Sequence, residues 1–382
     1  MHICFITHEY PKPGFSHGGI GTFVKTIASK LVENGIDVSI VGINFTSNNE
    51  ETTDSGVRIH RLKKNTIKGI SWWLNYKQIN SKISEIHRKN PIDIVETSEL
   101  GLAFINKKKA IKYVIRLHGG HHFFSEAENR NINKWRGFQE KRAFSKADAF
   151  IAVSQYVKIH TEKYLSYNNK KIEVINNPIN TELFKPLVTP IFENRIVFAG
   201  TVCEKKGIRQ LIKAFPIVQA SFPNATLEIY GRDWFFPDGS SYIEKINKNE
   251  LLQLGKAADA IHFHGAISYD KIPLAYAESA VCVFPSHMET QGLVALEAMA
   301  MEKTIVFTKL GPGIETISNF ETGLLCDPLN PNEIAENIIW VLTNKEKSMQ
   351  IGKKARSFVV NKYDLNNIFK KNIEFYNLIL RK

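Results

Sequence analysis

An α/β fold with two doubly wound parallel sheets is the class this sequence predicts, and three observations predict it. The chain has 382 residues, too many for one ordinary core and enough for two domains of roughly 180 residues each. Short apolar, β-prone runs alternate with segments whose apolar residues recur at helical spacing, as in repeated βα units. Around residues 182–194 the alternation stops at the two prolines of Phe184-Lys-Pro-Leu-Val-Thr-Pro190, which read as a linker, and a second series then begins. The domains expected from this are residues 1–182 and 194–363.

The first series opens with His2 to Thr7, apolar and β-prone, followed by Phe23, Val24, Ile27 and Leu31 at helical spacing. Asn34-Gly35 ends that helix and Val38 to Val41 starts a second strand, completing a βαβ unit. Further strands are expected at Asp93–Val95, Tyr113–Leu117, Ala149–Val153 and Lys171–Ile175. The second series predicts strands at Ile196–Ala199, Leu227–Tyr230, Ile261–Phe263, Val281–Phe284 and Thr304–Phe307.

Net charge is +12 and is uneven, because residues 1–180 hold 27 Lys and Arg against 16 Asp and Glu. That half therefore meets something anionic, such as acidic lipid, a lipid diphosphate or an acidic saccharide, or else carries lysines that only solvate loops. No nucleic-acid partner is expected. No run of roughly 18 apolar residues occurs and the N-terminus lacks a signal peptide's features, so the expected location is cytoplasmic, with peripheral contact at the inner face of the membrane open. The four cysteines are far apart and sit mostly in apolar runs. They read as buried hydrophobes rather than disulfides or a zinc site.

The densest chemistry lies in Glu289-Thr-Gln-Gly-Leu-Val-Ala-Leu-Glu297. A helix starting near Gly292 would have Leu293, Leu296, Glu297, Ala300 and Met301 on its buried stripe. Glu297 then points inward, where an unpaired carboxylate costs several kcal/mol and needs a partner or a ligand. Glu289 falls in the loop before the helix, where free N–H groups favour an anion such as a diphosphate.

This segment resembles the Glu-x7-Glu signature of retaining glycosyltransferases of the large family 4 type. The resemblance continues, in order, through Gly18-Gly19-Ile20-Gly21, His118-Gly119, Val153-Ser154, Asn176 to Asn180, Gly200 to Gly207, Phe284-Pro285-Ser286 and Gly323-Leu324-Leu325. It implies the GT-B architecture, two Rossmann-like domains facing across a cleft, with a last helix over 364–382 returning to the first domain. It also implies transfer from a nucleotide-diphosphate sugar, a UDP- or GDP-sugar, to a saccharide or lipid-linked acceptor, by analogy in bacterial surface polysaccharide or glycoconjugate synthesis. The N-terminal domain would take the acceptor and the C-terminal domain the donor.

By this resemblance Glu289, His118 and Lys206 are the catalytic set. Glu289 contacts sugar hydroxyls, His118 lies near the transferred carbon and Lys206 holds the diphosphate. Gly19, Thr290, Gln291, Gly292 and Leu293 line the donor, and Glu297 holds the ribose. The family's phosphate-binding arginine is replaced by Thr201, and Arg232 is either a substitute or a plain surface residue. Gln291 stands where an aromatic or proline is usual, so its amide reads sugar or phosphate. The glycines at 18–21 also fit a tight turn without a ligand, and Glu315 fits either a donor-side position or a turn with a capping acid.

His121 and His122 are assigned to an acceptor-facing loop, in preference to a metal cluster with Glu126 and Glu128 whose spacing matches no zinc pattern. No metal or cofactor is expected, since Asp-x-Asp, which commonly holds a cation in metal-dependent glycosyltransferases, is absent from the sequence. Trp72-Trp73 belongs to a basic, aromatic stretch suited to a bilayer interface or an acceptor sugar, with core packing expected for at least one ring. The competing readings are a nucleotide-sugar epimerase of the same fold and a non-catalytic binder of nucleotide sugar or anionic polymer.

Overall fold

A computed structural model describes residues 1–15, 17–127 and 130–381. Glu128 and Lys382 lie outside the described residues. The chain divides into two compact units, one of residues 1–178 and 365–382, the other of residues 179–364.

The first unit is built on an eight-stranded sheet. Its strands are β1 (His2–Ile6), β2 (Asp37–Ile43), β3 (Glu50–Asp54), β4 (Val57–Leu62), β5 (Ile94–Thr97), β6 (Lys112–Leu117), β7 (Ala149–Ala152) and β8 (Lys171–Val174). They lie in the order β3-β4-β2-β1-β5-β6-β7-β8, parallel except for the β3–β4 pair. Strands covered by helices on both faces are shut off from water along their length, and β1, β5 and β7 are buried at every residue, with Glu96 of β5 a buried acid that needs partners. Two strands had no counterpart in the sequence expectations, β3 and β4. The first, Glu-Glu-Thr-Thr-Asp, is largely exposed and held only by pairing to its neighbour.

The second unit has a six-stranded, wholly parallel sheet. It comprises β9 (Arg195–Ala199), β10 (Thr226–Tyr230), β11 (Ile261–Gly265), β12 (Val281–Phe284), β13 (Ile305–Thr308) and β14 (Leu324–Cys326), in the order β11-β10-β9-β12-β13-β14. Order reverses between β9 and β12, the switch point at which doubly wound sheets bind ligands beyond their strand C-termini. Phe184, assigned to a linker by its prolines, is instead fully buried in this unit's core. Its ring stands 5.3 Å from that of Tyr269. The four cysteines are free and buried.

The C-terminal helix Leu365–Leu380 buries Ile368, Phe375, Tyr376 and Ile379 in the first unit's core. A polar network fastens it there. Arg116, 1% exposed on β6, donates to Glu96 of β5 at 2.7 Å and to Asn372 of the helix at 2.5 Å. Tyr376 completes the set by donating to the other Glu96 oxygen at 2.7 Å. Every member is buried and partnered, the condition under which a buried ion pair is tolerable.

Candidate functional site

The second unit gathers its chemistry where parallel strands end. β9 ends at Ala199, β10 at Tyr230 and β12 at Phe284, and the strands are parallel neighbours, so the loops that follow share one rim. Two close approaches shape it. Gly207 sits in left-handed backbone at φ +70° against the Pro285 carbonyl, where a Cβ would come to 1.8 Å of the oxygen. The His287 N–H donates to the Lys205 carbonyl at 2.9 Å. The 200–207 loop is thereby laid onto the 285–289 loop.

That contact delivers Lys206 to Glu289, with the ammonium donating to the carboxylate at 2.5 Å. Ser286 donates to the same oxygen at 2.8 Å. Glu289 is 8% exposed, whereas the Lys206 side chain is 23% exposed. The carboxylate is therefore fixed from two sides, and the ammonium keeps some access to solvent.

Three residues on, Gly292 adopts φ +79° with its α-carbon facing the Phe307 ring, which a Cβ would meet at 2.5 Å. It caps helix Leu293–Ala300. This helix is not amphipathic as expected. All residues from Ala295 to Ala300 are buried, and only Leu293 and Val294 are partly open. Glu297 is 4% exposed and accepts from the Tyr269 hydroxyl at 2.7 Å. Burial pushes its pKa up to about 7, against the opposing pull of that hydrogen bond. Gln291 is buried at 2% exposure and Thr290 is partly buried.

Arg232 is exposed at the end of β10, and its Nε lies 3.4 Å from the Thr201 hydroxyl oxygen. The backbone is tied there too, since the Val202 N–H donates to the Arg232 carbonyl at 2.9 Å. Thr201 and Arg232, 31 positions apart, are thus neighbours. Glu315 lies in the short helix Gly313–Thr316 that follows β13.

The remaining named residues belong to the first unit. Gly19 opens helix Gly19–Glu33, and the Gly18 N–H at its N-cap donates to Glu9 at 3.0 Å. Glu9, which sequence reasoning did not single out, thus occupies an N-terminus suited to an anion. His118 follows β6 with its ring centroid 5.2 Å from that of Phe23. Desolvation, then the Arg116 charge, lower its pKa to about 3, so it is neutral at physiological pH.

His121 and His122 are not on a loop. They begin helix His121–Ala127, where both backbone N–H groups donate to Glu140 and the His122 ring bonds the same carboxylate. His122 is 6% exposed and Glu140 fully buried. The pair is anchored by an acid capping the helix start, which withdraws His122 from any solvent-borne ligand. Among the described residues no group of three or more His, Cys, Asp and Glu is placed to hold a metal ion.

Glu99, also unmarked by the sequence, is 4% exposed. Burial, with Glu140 nearby, raises its pKa to about 8. A concavity of ≈540 Å³ opens at the ends of β1, β2 and β5, lined by His8, Glu9, Trp72, Tyr76 and Thr97 among others.

Comparison with known proteins follows the same division. The family described as Glycosyl transferases group 1 matches residues 180–358, and that described as Glycosyltransferase Family 4 matches residues 17–183. An uncharacterized glycosyltransferase of Methanocaldococcus jannaschii is 25% identical, the alignment covering 100% of this chain and 99% of the relative. Sucrose-phosphate synthase from Thermosynechococcus elongatus has a similar fold, with a TM-score of 0.87 at 21% identity over 100% of this chain and 99% of its own. Anabaena Alr3699/HepE in complex with UDP-glucose is similar at a TM-score of 0.76 and 17% identity, with 99% of both chains covered.

Proposed function

We propose that this chain, which belongs to the glycosyltransferases of group 1 and family 4 and is an enzyme of glycosyl transfer, moves a sugar from a nucleoside diphosphate to an acceptor hydroxyl with retained anomeric configuration and no metal ion. The observation that carries the reading is the Lys206–Glu289 pair at the strand C-termini, just ahead of a helix N-terminus at Gly292. As the anomeric C–O bond breaks, its electron pair goes to a phosphate oxygen. A positioned ammonium and free helix N–H groups stabilise that growing charge more than they stabilise the ground state. The acceptor oxygen bonds the same face of the anomeric carbon, and its proton passes to the leaving phosphate.

Glu289, turned toward Lys206 and Ser286, would accept from hydroxyls of the donor sugar, and Glu297 from the ribose. Arg232, beside Thr201, supports a phosphate cation supplied from the neighbouring strand in place of the family's usual arginine. Gln291, Thr290 and Leu293 complete the donor side. The acceptor falls to the first unit, which carries the neutral His118 and Gly19. The donor is a UDP- or GDP-sugar, and the solved neighbour that holds UDP-glucose favours uridine nucleotides.

The test is nucleotide release from a panel of sugar nucleotides in chelator, with the product anomer read by NMR. Release from one donor, with α-donor giving α-product, is expected. Strict dependence on magnesium or manganese would remove the metal-free reading. Glu289→Gln should still bind nucleotide, because Lys206 loses its competing carboxylate, while transfer falls by about a hundredfold or more. Unchanged turnover would take Glu289 out of the catalytic set.

A further inference from the structure

We infer that one face of the first unit, formed by the turn before helix Ser71–Lys89 and by helix Lys134–Lys146, seats the protein on a bilayer of anionic phospholipid. The residues are apolar where a soluble surface has no use for them. Ile67, Ile70 and Trp73 are 57%, 48% and 48% exposed, and Ile132, Trp135 and Phe138 are 41%, 45% and 48% exposed. They form one patch. The Trp72 ring lies 4.5 Å from Phe104 and 5.5 Å from Trp135, and Trp135 stacks on Phe138 at 5.8 Å, which joins the two segments. Neither tryptophan of the Trp72-Trp73 pair is buried in the core, contrary to the expectation for at least one ring. A contiguous exposed apolar patch marks an interaction surface, whereas scattered apolar residues do not.

Charge selects the occupant. Residues 55–84 contain seven Lys and Arg and no Asp or Glu, and residues 130–139 contain three and none. Lys68, Lys77, Lys134 and Arg136 are exposed around the patch, and the Lys77 ammonium lies 5.1 Å from the Trp73 ring centroid. The unit as a whole holds 31 Lys and Arg against 17 Asp and Glu, a net of +14, while the other holds 19 against 21, a net of −2. Indole rings and aliphatic side chains ringed by cations match the boundary between acyl chains and anionic headgroups. A saccharide surface would want carboxylates and amides beside the rings, and three exposed isoleucines offer a sugar nothing to bond. No helix among the described residues is long and apolar enough to cross a membrane, so the contact is peripheral.

This goes beyond the transfer reaction, and its test uses neither donor nor acceptor, so its outcome is independent of that reading. The full chain is sedimented with vesicles of phosphatidylcholine, with and without phosphatidylglycerol. Binding is expected only with the anionic lipid. The variant K68E/K134E/R136E should lose roughly a hundredfold in partition, and I67S/I70S/W73S should lose binding while unfolding at an unchanged temperature. Failure to bind either vesicle would overturn the proposal. So would anionic binding that both variants retain, or capture by soluble dextran sulfate in the absence of vesicle binding.

Discussion

Glu96 and Glu297 are the same side chain at nearly the same depth, 1% and 4% exposed, in opposite circumstances. Glu96 has an arginine on one oxygen and a tyrosine hydroxyl on the other. Glu297 has the Tyr269 hydroxyl and, among the described residues, no cation in a salt bridge, and burial lifts its pKa to about 7. A buried acid with full partners holds two elements together. One left short of charge compensation is destabilising as it stands, and the proposed binding of donor hydroxyls would give it a use. The contrast separates an acid that serves the fold from one that serves the proposed ligand.

The strongest way to break the contrast is to strip Glu96 of its cation. Arg116→Ala should lower unfolding free energy by about 3–5 kcal/mol, measured in urea, because the carboxylate is then stranded. A loss under 1 kcal/mol would show that Glu96 tolerates isolation as Glu297 does.

Next in size is Glu297→Gln. A carboxyl whose folded pKa lies above its unfolded value binds more protons when folded, so stability is highest below the unfolded pKa and declines as pH rises toward 7. The substitution should remove that slope. It should also stabilise the free protein at pH 8 by roughly 3 kcal/mol relative to wild type, while weakening nucleotide binding about tenfold. An unchanged pH profile of stability would place Glu297 on the structural side with Glu96. The smallest effect should come from Tyr269→Phe, about 1 kcal/mol. Without its donor the Glu297 pKa rises further, so the decline in stability extends to higher pH. A decline that ends at lower pH would contradict the assignment.

What the sequence made legible follows from how local each signal is. The fully buried parallel strands read as apolar runs, which is why β1, β9 and β12 stood out. Three strands gave no such signal: β3 is polar and exposed, β4 interrupts its apolar residues with Arg58, His60 and Arg61, and β14 has only three residues. The glycine turns were visible beside Lys206 and Glu289, since each lies within a few residues of the chemistry it positions. The partners were not. Tyr269 reaches Glu297 across 28 positions and Tyr376 reaches Glu96 across 280, distances over which no periodicity speaks. His121 and His122 looked like a loop because the acid that caps their helix, Glu140, lies 18 and 19 positions on.

The Arg116–Glu96–Tyr376 network has a consequence for the order of assembly. Residues 179–364 form one uninterrupted unit, but the other unit needs residues 365–382 to cover its core. On the ribosome the second unit has its whole sequence first, even though the first unit leads in synthesis. Nascent chains stopped after Asp364 should resist protease over residues 179–364 and be cut within residues 1–178, and equal resistance would exclude this order. Until Tyr376 arrives, Arg116 and Glu96 have each other but not the helix that shields them, so the half made earliest spends translation as the half most in need of protection.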